Sequence, residues 1–167
     1  MKKKRSLDDY YEAYAQDVYR YLLFLSKDVE TVKDCLQETF FRAYLHVEEL
    51  SDEKVKPWLF RVARNVWIDY KRKNSRVHPY DGIFDQEDTK ALLPIDALLV
   101  KERLQTTLTH IEQLSDQQKQ AIVLVGIHEL SQAEAASVLG ISPGHLRIVL
   151  FRARKALRQK EREIEDG

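Results

Sequence analysis

A basic segment near the C-terminal end, residues 143–162, has the most distinctive chemistry in the sequence. It holds seven lysines and arginines against one glutamate, a net charge of +6. Apolar residues recur at a helical spacing, at Leu146, Leu150, Ala153 and Leu157. This pattern predicts an amphipathic helix with one packing side and a cationic outer side. Because such cations bind phosphates and arginine also pairs with base edges, the segment indicates a DNA-contacting helix.

A helix-turn-helix pattern, residues 131–154, contains the start of that helix. Ser131 opens a capping box at the start of a short first helix, in which Ala133, Ala136 and Leu139 are expected on the buried side. Gly140 suits the left-handed end of this helix, and Ser142 can cap the second one. The N-terminal part of a second helix in such a hairpin enters the major groove. The expected base contacts are His145 and Arg147, the expected backbone contacts are mainly Arg152 and Arg154, and Ser142 and Phe151 are further candidate DNA-binding residues.

A second basic segment, residues 56–76, combines cations with aromatic rings. Seven bases stand against one acid, and Trp58, Phe60 and Trp67 are interleaved with them. Rings stack on unpaired bases while cations follow the phosphate backbone, so the segment predicts binding of single-stranded nucleic acid. A core position is an equally good interpretation for Trp67. The candidate contacts are Lys56, Trp58, Arg61, Asn65, Asp69, Arg72, Lys73 and Arg76.

A polar ridge is expected on a helix within the acidic residues 28–53. This stretch has eight acids and two bases, a net charge of −6. Four polar residues lie at spacings of three and four, namely Asp34, Gln37, Glu38 and Arg42, opposite an apolar stripe that ends with Phe40 and Ala43. The ridge is either a solvated face or a surface for a partner.

The sequence contains no arrangement typical of an enzyme. Its five histidines are scattered without ligand spacing or a partnered nucleophile. Residues 140–144 match the G-x-S-x-G pattern of hydrolases, but that motif needs a strand before the serine, whereas Ser142 follows a helical segment. The single cysteine, Cys35, suits a reducing cytoplasm. We therefore expect no catalytic residue, no metal, no cofactor and no small-molecule substrate.

The elements that carry these residues are predicted to be helices. Five glycines and four prolines in 167 residues, with 44% hydrophobic residues, favour an all-α fold. Two small helical domains, residues 1–75 and 95–162, are expected on either side of a flexible acidic linker, residues 76–94. The third helix of the first domain is expected to have Pro57 in its first turn, and Pro94 to open the second domain. No apolar run approaches the about 20 residues that span a bilayer, and no signal peptide is expected.

Several sequence blocks together resemble a known family. They are DCLQETF at residues 34–40, WLFRVARN at 58–65, IDY at 68–70 and FRARKAL at 151–157. In this order, and over about residues 8–160, the chain resembles the extracytoplasmic-function (ECF, group IV) sigma factors of bacterial RNA polymerase. Within that family, residues 54–65 and 149–154 look most like the sigma-M type of bacilli.

The resemblance implies a promoter-specificity subunit. Its partners would be the clamp and flap of core RNA polymerase, promoter DNA and a membrane-bound anti-sigma factor that responds to envelope stress; free of partners the chain would be monomeric. Residues 56–76 would hold the melted minus-10 strand, and the helix-turn-helix would read the minus-35 element. The acidic linker would thread through the polymerase. The residues implied for core-polymerase binding are Asp34, Leu36, Gln37, Glu38, Phe40 and Arg42.

One departure from the family pattern lies in the second helix of the helix-turn-helix. Where the family commonly has T-V-K-S-R, this chain has HLRIV at residues 145–149. The polar residues usual at Ile148 and Val149 are absent, which leaves His145 and Arg147 as candidates for base contacts. The alternative function is a stand-alone helix-turn-helix regulator, which requires dimerisation, palindromic sites and DNA binding without polymerase.

Overall fold

A computed structural model describes residues 5–74 and 109–166. The chain divides into two compact units, Met1–Gln86 and Glu87–Gly167. Every regular element in the described ranges is helical, which confirms the predicted all-α class. The expected linker, Arg76 and the helix expected after Pro94 lie outside the described residues. No described helix has the length and apolar content needed to cross a membrane.

The N-terminal unit is a bundle of three helices. They are α1 (Leu7–Ser26), α2 (Val29–His46) and α3 (Asp52–Asn74), with a 3-10 turn at Val47–Glu49 before α3. Each helix packs against the other two. Their buried stripes form one core, which includes Val18, Tyr21, Leu22, Val32, Cys35, Ala43, Leu59, Phe60 and Ala63.

Local caps set the turn between α1 and α2. Ser6 and Asp9 form a reciprocal capping box at the start of α1. Lys27 ends the helix in the left-handed conformation, at φ 61°, and its N–H donates to the carbonyl of Leu23 at 3.0 Å. The Asp28 carboxylate then accepts from the Thr31 N–H and caps α2. So short a connection makes α1 and α2 antiparallel neighbours.

The start of α3 differs from the sequence prediction. The helix begins at Asp52, so Pro57 is its sixth residue and lies beyond the first turn. Asp52 and Glu53 favour the earlier start because acids stabilise a helix N-terminus. The buried Tyr10 hydroxyl of α1 donates a hydrogen bond to the Asp52 carboxylate and ties this end of α3 to the bundle. The longer helix also buries Val55.

The C-terminal unit contains the helix-turn-helix. After a helical turn at 109–112 come α4 (Asp116–Ile122), a π-helical turn (Val123–Ile127), α5 (Gln132–Leu139) and α6 (Pro143–Glu165). The last helix packs against both α4 and α5. On α5 the buried residues are Ala135, Ala136, Val138 and Leu139, whereas Ala133, expected on the buried side, is exposed. The rest of the core includes Ile111, Ala121, Leu124, Leu130, Leu146, Leu150 and Ala153.

We expect Tyr10→Phe to destabilise the N-terminal unit by about 1.5 kcal/mol, because it removes a hydrogen bond to a carboxylate. Urea unfolding followed by circular dichroism measures the change. Tyr11→Phe is the matched control, since the Tyr11 side chain is 50% exposed. Equal stability of Tyr10→Phe and the wild type would contradict the role given to the Asp52 contact.

The hydrogen-bonded pair Tyr10 and Asp52 also makes the stability of the N-terminal unit depend on pH. Burial, together with the hydrogen bond to Asp52, raises the pKa of Tyr10 to about 12. The folded state therefore holds this proton more tightly than the unfolded chain, whose tyrosine pKa is about 10. The contribution to stability is complete below about pH 10 and is lost as the pH rises towards about 12. The stability difference between the wild type and Tyr10→Phe should narrow over that window.

Candidate nucleic-acid and protein interfaces

The predicted polar ridge lies on the outer side of α2. Asp34, Gln37 and Glu38 are exposed. Arg42 is half-buried, and its Nε lies 3.1 Å from Glu38 Oε1 across one helical turn. Leu36 is also half-buried. An exposed i,i+4 ion pair adds little to stability, so the acids here are available to a partner at small cost to the fold.

Three large apolar side chains extend this ridge. Phe41 is 58% exposed, Tyr44 65% and Leu45 58%. Since residues three, four and seven apart share a helix face, Phe41 and Leu45 lie beside Asp34 and Glu38. Contiguous exposed apolar groups with a polar rim are typical of protein-binding sites. The α2 surface, as used below, comprises the exposed residues Asp34, Gln37, Glu38, Phe41, Tyr44 and Leu45.

Phe40, expected to contact polymerase, is in the bundle. It is only 7% exposed, and its ring lies edge-on to that of Tyr11, with centroids 4.9 Å apart. Its burial therefore does not support a partner contact, and Phe41 takes the exposed position. The helical spacing already placed Phe40 in the apolar stripe that includes Ala43, and so predicted its burial. The contact with polymerase was expected from the family motif alone.

The nucleic-acid candidates of α3 are spread along its solvent side. Arg61, Asn65, Arg72 and Lys73 are exposed, while Lys56, Trp58 and Asp69 are half-buried. Asp69 accepts a hydrogen bond from Arg72 at 3.1 Å, which fixes the guanidinium along the helix. The polar groups at residues 61, 65, 69 and 72 share one face, because they lie three and four residues apart.

A pocket of about 240 Å³ lies beside Trp58. It is lined by the end of α2, the 3-10 turn and α3, through Arg42, His46, Glu49, Leu50, Trp58 and Val62. The His46 and Trp58 rings approach edge to face, with centroids 6.2 Å apart. Pockets for drug-sized ligands measure about 300–1,000 Å³, so this one is smaller than a site for a ligand of that size. Sequence spacing gave no indication of it, because its walls come from separate elements.

Trp67 is half-buried, between the two positions considered from the sequence. The Lys71 Nζ lies 5.1 Å from its ring centroid, within the range of a cation–π contact. The ring thus packs against the helix and supports a cation at the solvent side of α3.

The helix-turn-helix forms through the predicted caps. Ser131 and Glu134 complete their capping box, with Glu134 N–H to Ser131 Oγ at 3.1 Å. Gly140 is left-handed, at φ 67° and ψ 32°. Ser142 Oγ accepts from the His145 N–H at 3.1 Å, and Pro143 is the first residue of α6. The exposed N-terminus of α6 is therefore held by local hydrogen bonds.

The faces of α6 separate packing from solvent. Its N-terminal half buries Leu146, Val149 and Leu150, while Leu157, expected to pack, is half-buried. Val149 is 6% exposed, so it belongs to the core, and the departure from the usual family residues concerns one outer position, Ile148. The DNA candidates Ser142, His145, Arg147, Phe151, Arg152 and Arg154 are all exposed.

A groove of about 650 Å³ follows one flank of α6. Its walls include Arg147, Arg154 and Arg158, with the exposed ring of Phe151 among them. Within the described residues these three guanidinium groups form no ion pair. The lining also contains Glu161, and the Arg158 Nε donates to the Arg154 carbonyl at 3.3 Å, so three guanidinium groups stand against one carboxylate and the net positive charge suits a phosphate backbone.

The described residues contain no comparable site for catalysis. They contain no group of three or more metal-binding side chains. Burial raises the pKa of the Cys35 thiol to about 11, with a smaller effect of Asp34, so at neutral pH it is protonated and a poor nucleophile.

Comparison with known proteins identifies both units. The family model Sigma-70 region 2 matches residues 10–77, and Sigma-70 region 4 matches residues 105–157. The chain thus has the two conserved regions of a sigma-70-type transcription initiation factor.

It is 39% identical over 155 residues to "ECF RNA polymerase sigma factor SigM" of Bacillus subtilis, covering 92% of this chain and 93% of the relative. Identity to SigW of the same organism is 30% over 166 residues, covering 93% and 89%. The chain belongs to the ECF sigma factors of RNA polymerase, which confirms the resemblance seen in the sequence.

Solved structures share the fold. The sigma factor RpoE, solved in complex with the anti-sigma factor NepR from Bartonella quintana, aligns with a TM-score of 0.66 at 22% identity, covering 91% of this chain and 94% of that one. CnrH, solved in complex with the cytosolic domain of CnrY, aligns with a TM-score of 0.64 at 22% identity, covering 96% and 90%.

We expect Gly140→Ala to destabilise the C-terminal unit by about 1 kcal/mol, because a Cβ disfavours the left-handed conformation. No atom lies within 4 Å of the added Cβ, so the cost is purely that of the backbone. Gly126→Ala is the matched control, since its Cβ also meets open space and its φ is not positive. Thermal unfolding distinguishes them, and an equal effect of both substitutions would contradict the turn assignment.

Proposed function

We propose that this chain is the specificity subunit that binds core RNA polymerase and directs it to a set of promoters, with no catalysis of its own. The α2 surface is the observation that supports this proposal most directly. Pairing of two copies through this surface, as a dimeric stand-alone regulator would need, would bring the acids of both copies together. Docking on a basic surface of a large protein avoids this repulsion.

The polymerase contact is assigned to the α2 surface, with Leu36 and Arg42 at its margin. Phe41, Tyr44 and Leu45 supply apolar area of the kind found at the centre of protein interfaces, and the acids around them meet a basic partner. The partner surface is the clamp of the largest subunit. The C-terminal unit contacts the flap.

The minus-10 contact is assigned to α3 and the pocket beside Trp58. Arg61, Lys73 and Arg72 supply positive charge, Asn65 a donor and an acceptor, and Trp58 a ring face at a pocket of about 240 Å³. Stacking on such a ring contributes about 1–3 kcal/mol per base and applies only to bases that have left the duplex. This chemistry favours a melted strand over duplex DNA.

The minus-35 contact is assigned to α6. Its N-terminus, with Ser142, His145 and Arg147, enters the major groove, while Arg152 and Arg154 bind the flanking phosphates. The cationic groove along α6 gives this contact a strong dependence on salt.

Regulation is proposed to use an anti-sigma factor. One similar solved structure is the sigma factor RpoE in complex with the anti-sigma factor NepR, and the other, CnrH, is also in complex with a protein partner. Exposed rings such as Phe41 and Tyr44 favour cover by a protein whenever polymerase is absent. We place the chain in the cytoplasm, with a membrane-bound partner that releases it during envelope stress.

The decisive experiment is transcription by the full chain with core polymerase on a library of promoter sequences, together with footprinting of the selected promoters with and without core polymerase. A sigma factor produces transcripts from a defined class of promoters and a footprint only with core polymerase. A palindromic footprint produced by the chain alone, without promoter-specific transcripts, would establish the stand-alone regulator instead.

We expect the double variant Asp34→Ala with Glu38→Ala to bind core polymerase at least about tenfold more weakly, a loss of about 1.4 kcal/mol. Affinity is measured by titration of labelled protein with core polymerase at two salt concentrations. Glu12→Ala with Glu30→Ala is the control, because it removes two exposed acids outside the α2 surface. If both double variants bind alike, the contact lies elsewhere.

A further inference from the structure

Ile148 occupies an unusual place on α6. It is the sixth residue of the helix and is 51% exposed, near the middle of the side opposite the buried Leu146 and Leu150. An exposed amphipathic helix ordinarily has polar residues there; the exposed neighbours His145 and Arg152 follow that rule, whereas Phe151, three residues away, is a second exposed apolar side chain. The isoleucine therefore needs an explanation other than packing within this unit.

The surroundings of Ile148 favour DNA over a protein as its partner. From residue 143 to residue 160 the helix carries six lysines and arginines and no acid. His145 and Arg152 flank Ile148 on one side, and Arg147 on the other, all of them exposed. A side chain in the middle of such a cationic strip lies between the phosphate contacts, where the base edges of the major groove are found.

The groups that the bases present in the major groove limit what Ile148 can contact. Isoleucine has no donor or acceptor, so it pairs with none of the polar groups on the base edges. The C5-methyl group of thymine is the apolar group that the major groove presents. A β-branched side chain on a helix is also held largely in one χ1 rotamer, so its methyl groups occupy a fixed position.

We propose that Ile148 packs against the C5-methyl group of a thymine in the minus-35 element and makes this position selective for thymine. The inference rests on the proposed function, since it gives α6 a base preference in addition to its phosphate contacts. It also explains how the helix keeps sequence information where the usual polar family residue is missing. Val149 takes no part, because it is buried.

The test removes the methyl group alone. A promoter selected by the wild-type chain with core polymerase is prepared with deoxyuridine in place of each minus-35 thymine, one at a time and on either strand. We expect one such change to weaken wild-type binding about fourfold, the effect of one buried methyl-sized group. Ile148→Ala should bind the thymine promoter about fourfold more weakly and show no further loss with deoxyuridine.

Two other variants serve as comparisons. Ile148→Val keeps a β-branched side chain and should retain part of the response to deoxyuridine. Ile127→Ala removes an isoleucine of similar exposure, 49%, from the π-helical turn, and should leave the full response. Since both Ile148 and Ile127 are about half exposed, neither substitution disturbs the core.

The outcomes separate this inference from the function on which it rests. A full deoxyuridine response in Ile148→Ala, or no response at any thymine in the wild type, overturns the methyl contact. Such a full response, in which the substitution weakens binding relative to the wild type by the same factor on the thymine and the deoxyuridine promoter, would place the side chain on sugar or protein. Promoter-specific initiation would persist in these cases, whereas its absence from the wild type with core polymerase overturns both proposals.

Discussion

Each functional helix of this protein has to bury one stripe of side chains while offering the opposite side to a partner. The phase of the buried stripe therefore decides which residues can bind. Two pairs of sequence neighbours illustrate how sharp this decision is. Phe40 is in the bundle and Phe41 is in solvent, and Val149 is in the core while Ile148 is outside. A rotation of 100° per residue is enough to change a packing residue into a binding residue.

The sequence predicted the parts of the fold that depend on local chemistry. The caps at Ser131 and Ser142 and the left-handed Gly140 involve a side chain and backbone groups a few residues away, so residue type and spacing determine them. The start of α3 was predicted too late because, besides the local acids Asp52 and Glu53, it is stabilised by a contact between Tyr10 and Asp52, 42 residues apart. The pocket beside Trp58 escaped prediction for the same reason, since three elements must meet to form it.

Charge is distributed by helix in this chain, not by its overall balance. The 27 acids and 27 bases cancel, yet the acids of α2 and the bases of α6 are on separate helices. Two oppositely charged surfaces on one chain suit two different macromolecules, one basic and one a polyanion. The overall neutrality of the protein is thus compatible with strong and selective electrostatics at each site.

Pro57 interrupts the backbone hydrogen bonds of α3 near the start of the helix. Because proline has no N–H, the carbonyl four residues earlier receives no hydrogen bond from the helix ladder, and the first turn is joined to the rest by fewer bonds. That turn follows the segment containing Glu49 and Leu50, which form one wall of the pocket beside Trp58. Segments with few ladder bonds open at lower free energy than the body of a domain. Contacts from outside the helix ladder, the Tyr10–Asp52 hydrogen bond and the burial of Val55, therefore compensate at this end of α3 for the bond that Pro57 removes.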